Sequence, residues 1–323
     1  MKFLRPISFA LTALALLAQA GSSYAEYPDR PIRLVLPFPA GGAVDIVARI
    51  MAENMAKDLG KTIVIENKAG AGGIIATDAV AKSTNDGYTL LVATPNLTIN
   101  AALQPKLPYD TEKDLVPISI IAEVPEVLIS NPAAPFKTFA EFIAYAKKNP
   151  GKLNYASAGV GTLPHVTMEL LLKREGIKVT PVHYRGAAPA MTDMLSGVVQ
   201  LKLDTYATSH PQVEAGRLRM LGIASSRRSK LMPDVPTIAE QGLPGYEGVL
   251  WIGIMAPAGT PQAVIDKVAA ASAKAARDPA IIARLQRDGI EPIGGTPAEF
   301  GALIKRELPQ WRDLAKSTNI KLK

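Results

Sequence analysis

The chain has 323 residues, 48% apolar and 20% charged, which is a globular composition large enough for one or two domains and excludes collagenous and low-complexity classes. Its formal charge of +7 rests on scattered Lys and Arg with only 6% aromatics, a balance that suits anionic small molecules and argues against nucleic acid. It has no cysteine, which excludes disulfides, thiolate metal sites and an acylated-cysteine anchor.

The chain opens with the pattern of an export leader. Lys2 and Arg5 form a positive n-region, residues 7–17 an apolar stretch, and Ser23-Tyr24-Ala25 a cleavage site, with Ala18-Gln19-Ala20 a second possible cut. The apolar run is too short to span a bilayer, which takes about 20 residues. Residues 1–25 therefore read as a signal peptide cleaved after Ala25, and the mature protein as a soluble periplasmic one. Loss of Lys2 and Arg5 with the leader leaves a charge of +5.

Strands and helices then alternate. A strand at 32–36 runs into Pro37-Phe38-Pro39-Ala40-Gly41-Gly42 and a helix over 43–58, with Val44, Val47, Ile50, Met51 and Met55 on one face. A strand at 62–66 leads through the glycine-rich segment 67–73 into a helix ending near Lys82, and a strand follows at 88–93. Thr94, Asn96 and Thr98 read as a polar loop after it. Residues 126–130, bounded by prolines, read as a first crossing between two lobes. The second lobe has a helix at 139–148, a strand from Leu153, then Ser157-Ala158-Gly159-Val160-Gly161-Thr162 and a helix over 164–174. Strands at 179–183, 198–203 and 218–224 and a helix at 187–196 follow. Residues 249–255 read as the return crossing, and helices at 261–277, 279–288 and 297–317 pack back on the first lobe. The alternation predicts α/β lobes with mostly parallel sheets: residues 26–126 with 250–323, and residues 127–249.

The two glycine-rich turns, at 37–42 and 157–162, share one build. Each joins the carboxyl end of a strand to a helix N-terminus, where free N–H groups and the helix dipole favour an anion. On facing lobes they would close on one small anion. The plainer alternative for each is a tight strand-to-helix turn. Phe38 is suited to walling a pocket, and Asp45 to capping and dipole interaction. Ser157 and Thr162 bring hydroxyls, Gly159 and Gly161 allow close approach, and His165 on the first helical turn is expected to be neutral. Tyr184 and Asp204 follow strand ends, a position from which both could face the same cleft, although a cap role for Asp204 stays open.

Chemistry finds little support. A P-loop and a full dinucleotide fingerprint are missing, so no cofactor is expected. Three His, no Cys and no H-E-x-x-H leave no metal pattern. Ser157, His165 and Asp204 suggest a triad, but no G-x-S-x-G elbow occurs. A secreted serine hydrolase using Ser157 and His165 is the alternative to a binding protein.

Taken in order, the motifs resemble the Bug family of periplasmic solute-binding proteins, which serve tripartite tricarboxylate transporters or stand as orphan receptors. The residues that carry the likeness are Tyr27-Pro28, Pro31-Ile32-Arg33-Leu34-Val35, Pro37 to Gly42 with Asp45, Glu66-Asn67-Lys68 with Gly70 to Gly73, and Asp86-Gly87-Tyr88-Thr89-Leu90. Further matches are Leu107-Pro108-Tyr109-Asp110, Pro150 to Gly159, Tyr184-Arg185-Gly186, Pro233 to Thr237 and Ala256 to Pro261. The resemblance implies a two-lobed periplasmic binding protein fold of type II with two crossing strands as hinge and no enzymatic activity. It implies a monomer that holds a small carboxylate, commonly a dicarboxylate, and hands it to a membrane permease. By position the ligand contacts would be Phe38, Ala40, Gly41, Gly42, Asp45, Thr94, Asn96, Ser157, Ala158, Gly159, Gly161, Thr162, His165, Tyr184 and Asp204. His183 replaces the usual proline before Tyr184, and Thr205 to Thr208 replace an asparagine-led segment. These departures sit near the cleft and leave the ligand unassigned: the resemblance favours a dicarboxylate, aliphatic or aromatic such as terephthalate, with a monocarboxylate or a neutral amide such as nicotinamide left open. A sensor subunit for a membrane kinase would share this fold.

Overall fold

A computed structural model describes residues 26–184, 186–229 and 232–318. The leader and Arg185 lie outside them. Among the described residues no helix is long and apolar enough to cross a membrane.

The first sheet has the order β2-β1-β3-β9-β4, with β1 (Ile32–Leu36), β2 (Ile63–Asn67) and β3 (Thr89–Ala93) parallel and β9 (Val249–Pro257) antiparallel to its neighbours β3 and β4 (Leu115–Ser130). One face is covered by α1 (Ala43–Leu59), α8 (Gln262–Arg277) and α9 (Pro279–Arg287). There Val47, Met51 and Met55 of α1 meet Ile32, Leu34 and Leu36 of β1, and Val268 and Ala271 of α8. Each buried Leu, Ile or Met of this kind contributes roughly 1.5–3 kcal/mol. The other face is covered by α2 (Ile74–Ala81), α3 (Asn96–Leu103) and α10 (Pro297–Thr318). The three C-terminal helices thus return to the first sheet.

The second sheet has β4 (Leu115–Ser130), β7 (Leu201–Thr205), β5 (Asn154–Ser157) and β6 (Thr180–His183) in that order, with β8 (Arg219–Ile223) also on β4. Phe139 and Phe142 of α4 (Phe139–Lys148) and Met168 and Leu171 of α5 (Leu163–Glu175) pack one face. Ala190 and Met194 of α6 (Ala187–Ser196) and Tyr206 of α7 (Tyr206–Glu214) pack the other. The molecule is two α/β lobes sharing one long strand.

Three elements differ from expectation. The crossing strand begins at Leu115, so Pro117 and Pro125 lie inside it; the ladder shifts register between Pro117 and Ser119, where a missing N–H does little harm. Residues 96–103 form a helix where a loop was expected. Asp204 lies within β7, and Thr205 precedes the unforeseen α7.

Register places the strand ends. Ala93, at the end of β3, and Ile120 of β4 both pair with Gly253. Beyond that level β4 continues until Glu126 pairs with Thr205, the carboxyl end of β7. Since β5 and β6 run parallel to β7, the carboxyl ends of β1–β3 and of β5–β7 face each other across residues 121–126. Both glycine-rich turns sit at those ends.

Candidate functional site

The first turn is braced from behind by three side chains. Asp45, in the first turn of α1, is 4% exposed. Its Oδ2 accepts from Gly41 N–H (3.0 Å) and Arg49 Nε–H (2.9 Å), and its Oδ1 from Asn67 Nδ2–H (3.0 Å). Asn67 also donates to the Phe38 carbonyl (3.0 Å). These donors, led by Arg49, hold the Asp45 carboxyl down at about 2. Gly41 takes φ of 90°, which points its N–H at Asp45 rather than outward. Asp45 thus fixes the turn, with no side-chain cap on α1. The Gly41 N–H, expected to be free for an anion, is occupied; those starting α1 have no intrahelical acceptor. Phe38 is half-buried against the first-lobe core, and Ala40, Gly41 and Gly42 are exposed. Asn67 enters the sequence reading only among the residues that carry the family likeness and Arg49 not at all, although the spacing of Asp45 to Arg49 is that of a helical ion pair.

Asn96 opens α3 and donates, with Asn100, to the Gly72 carbonyl (3.3 and 3.0 Å), tying the glycine segment of residues 70–73 to the end of β3. Thr94 is buried beside it.

The second turn is knitted by its own polar groups. Ser157 is fully buried; its Oγ accepts from Gly159 N–H (3.1 Å) and lies 3.0 Å from both the Gly159 carbonyl and His183 Nδ1. Thr162 Oγ1–H donates to Gly159 O (2.8 Å), so this hydroxyl proton is spent inside the turn. Gly161, at φ 74°, donates its N–H to His165 Nδ1 (3.0 Å). A backbone N–H only donates, so Nδ1 holds a lone pair and the His165 proton is on Nε2. Burial first, and then His183, push the His165 pKa down to about 4, so the ring is neutral. Ala158 and Gly159 are half-buried.

Two expected site residues are engaged elsewhere. Tyr184 donates its hydroxyl to Asp193 Oδ2 (2.7 Å). Asp204 is 4% exposed; Lys202 Nζ lies 2.5 Å from its Oδ1, and Thr208 and Ser209 donate to its Oδ2. Asp204 therefore ties β7 to α7. The imagined triad is not assembled: Ser157 meets His183 rather than His165, and Asp204 meets Lys202.

The lobes touch beside the second turn. Leu163 and Val166 of α5 share an apolar cluster with Ile99 and Leu103 of α3 and Trp311 and Leu314 of α10. His165 lies between Leu163 and Val166, so this contact brings the second turn against the first lobe.

Two lobes joined by crossing strands, with an anion-suited turn at each facing strand end, define a two-lobed solute receptor. Residues 47–320 match the profile described as TctC, the tripartite tricarboxylate transporter family receptor, and the chain belongs to that family. Its members are receptors rather than enzymes. The fold is likewise that of the periplasmic binding protein BugD, with 34% identity and a TM-score of 0.77 over 92% of this chain and 100% of that one. Rhodopseudomonas palustris Rpa4515, solved with adipate, is 34% identical with a TM-score of 0.79, over 92% and 99% of the two chains. MatC of the same organism, solved with bound malate, is 34% identical with a TM-score of 0.75, over 89% and 99%.

Proposed function

We propose that the protein is a periplasmic receptor that holds a small dicarboxylate between its two glycine-rich turns and delivers it to the permease of a tripartite tricarboxylate-type transporter. The observation that carries this is the register of β4, which sets the turns opposite each other at facing strand ends. Relatives solved with adipate and malate support the ligand class. One lobe is residues 26–126 with 250–323 and the other 127–249, the leader being removed after Ala25. The first carboxylate is held by backbone groups of Ala40, Gly42 and the start of α1, beside Phe38, Thr94 and Asn96, with Asp45 and Gly41 shaping the turn. The second is held by the Ala158 backbone, the start of α5 and His165 Nε2–H, with Gly159 and Gly161 shaping the turn and Ser157, Thr162, Tyr184 and Asp204 in support.

A thermal-shift series over adipate, malate, terephthalate, a monocarboxylate and nicotinamide tests this. A ligand at 100 times its Kd stabilises the native state by about 2.7 kcal/mol. At least one dicarboxylate is expected to raise Tm more than hexanoate or nicotinamide does. A series in which no carboxylate moves Tm rejects the reading.

A further inference from the structure

Two imidazoles meet behind the second turn, edge to face, with 4.8 Å between ring centroids and 89° between planes. They have unequal freedom. His165 is committed: Gly161 N–H occupies its Nδ1, and a second proton would have to displace that bond. Its pKa, pushed down to about 4 by burial, agrees.

His183 is exposed at the end of the edge strand β6, and among the described residues only its Nδ1 is engaged, 3.0 Å from Ser157 Oγ. The network around Ser157 accepts either charge state of His183. With His183 neutral, Ser157 O–H donates to Nδ1 while Gly159 O still receives Thr162 Oγ1–H. With His183 doubly protonated, Nδ1–H donates to Ser157 Oγ, and the hydroxyl turns to Gly159 O, 3.0 Å away. One hydroxyl rotation covers both states, and Nε2–H donates in each.

Charge around His183 points the same way. β5 presents Ser157 to it and α5 presents His165, which stays neutral; neighbouring Tyr184 is spent on Asp193 of α6. Among the described residues no carboxylate lies within ion-pair distance of His183, whereas Arg49 is paired with Asp45 and Lys202 with Asp204. An imidazolium at His183 thus lacks a counter-ion that a ligand carboxylate would supply.

We propose that His183 is a specificity-determining residue: its Nε2–H takes the second carboxylate of a dicarboxylate as an imidazolium, so that dicarboxylate binding takes up a solvent proton and monocarboxylate binding does not. This rests on the carboxylate-receptor reading above and names the residue that reads ligand charge.

Isothermal titration of the mature protein with adipate and with hexanoate, at pH 7 in phosphate and in Tris, counts protons from the difference in buffer ionisation enthalpy. The wild type is expected to take up a substantial fraction of one proton per adipate and none per hexanoate. In His183→Gln the uptake with adipate should vanish, and the preference for adipate over hexanoate should fall at least tenfold. His183 is exposed, and a melting curve of the variant verifies its fold. Adipate binding without proton uptake, or uptake that persists in His183→Gln, overturns the proposal and leaves the receptor reading standing. Failure of every carboxylate to bind overturns both.

Discussion

At the scale of single residues, two buried titratable groups pull stability in opposite directions with pH. Glu307 of α10 accepts from Trp251 Nε1–H (2.8 Å) and Thr98 Oγ1–H (2.6 Å), and burial raises its pKa from 4.5 to about 7. Between those values the folded protein binds more protons than the unfolded chain, so Glu307 lowers stability as pH rises through that window. His165 does the reverse. Its pKa is lowered from 6.5 to about 4, so its contribution is complete above 6.5 and is lost as pH falls toward 4. Glu307→Gln keeps the size of the side chain and an acceptor for Trp251. It should stabilise the protein on the order of 3 kcal/mol above pH 8, with little effect below pH 4.5. His165→Gln should flatten the loss between pH 6.5 and 4. Chemical denaturation of both variants across pH 4–9 checks the signs, and a Glu307→Gln protein no more stable than wild type at pH 8 contradicts the first.

At the scale of elements, the docking of α5 on α3 and α10 couples the second turn to the first lobe. Leu163 is buried in this shared cluster, while Leu171, two turns further on, is buried within its own lobe. Leu-to-Ala changes at buried sites cost about 2–5 kcal/mol, but where that loss falls should differ. Leu163→Ala should weaken adipate at least tenfold while lowering the ligand-free Tm less than Leu171→Ala does. Equal affinities for wild type and Leu163→Ala would exclude this cluster from the bound arrangement. The sequence disclosed α5 and α1 because their apolar spacing and glycine entries are strong local signals. It concealed α3, whose opening Thr94-Pro95-Asn96-Leu97-Thr98 is polar, although Pro95 sits at the helix start, where proline is well tolerated. It concealed α7 because only Tyr206 and Ser209 are buried there and Pro211, a helix breaker by propensity, lies inside it. The prolines of β4 disguised one long strand as a short one. Strand-end placement of the two glycine-rich turns was legible; the internal satisfaction of Asp45, Ser157 and Asp204 was not. Their partners Asn67, His183 and Lys202 are brought to them by sheet pairing or by alternation along one strand, for which composition gives no signal.

At the scale of the whole molecule, the angle between lobes is set where β4 and β9 cross, and charged side chains surround that crossing. A cavity of about 760 Å³ there is lined by Glu123, Glu247, Glu291, Arg227 and Arg306 among others. Arg227 of the second lobe lies 3.6 Å from Glu291 and 3.9 Å from Glu123, and Arg306 of α10 lies 3.0 Å from Glu247. Both arginines are mostly exposed, so each pair alone contributes less than about 1 kcal/mol. Together they offset two of the three negative charges of carboxylates close enough that Glu247 and Glu291 add to the raising of the Glu123 pKa by burial. Removing both cations leaves mutual repulsion across the hinge, and a change of a few kT is enough to redistribute two lobe angles that differ little in energy. Arg227→Gln with Arg306→Gln is therefore expected to raise the ligand-free radius of gyration in small-angle scattering at low salt, with Tm only slightly changed. If the proposed receptor role holds, saturating adipate should return it to the wild-type value, since a ligand that bridges both turns would outweigh the lost pairs. In 1 M salt, where the screening length is about 3 Å, the wild type should move toward the variant. Identical scattering from both proteins in the ligand-free state would mean that the crossing strands and the Leu163 cluster hold the lobes without electrostatic help.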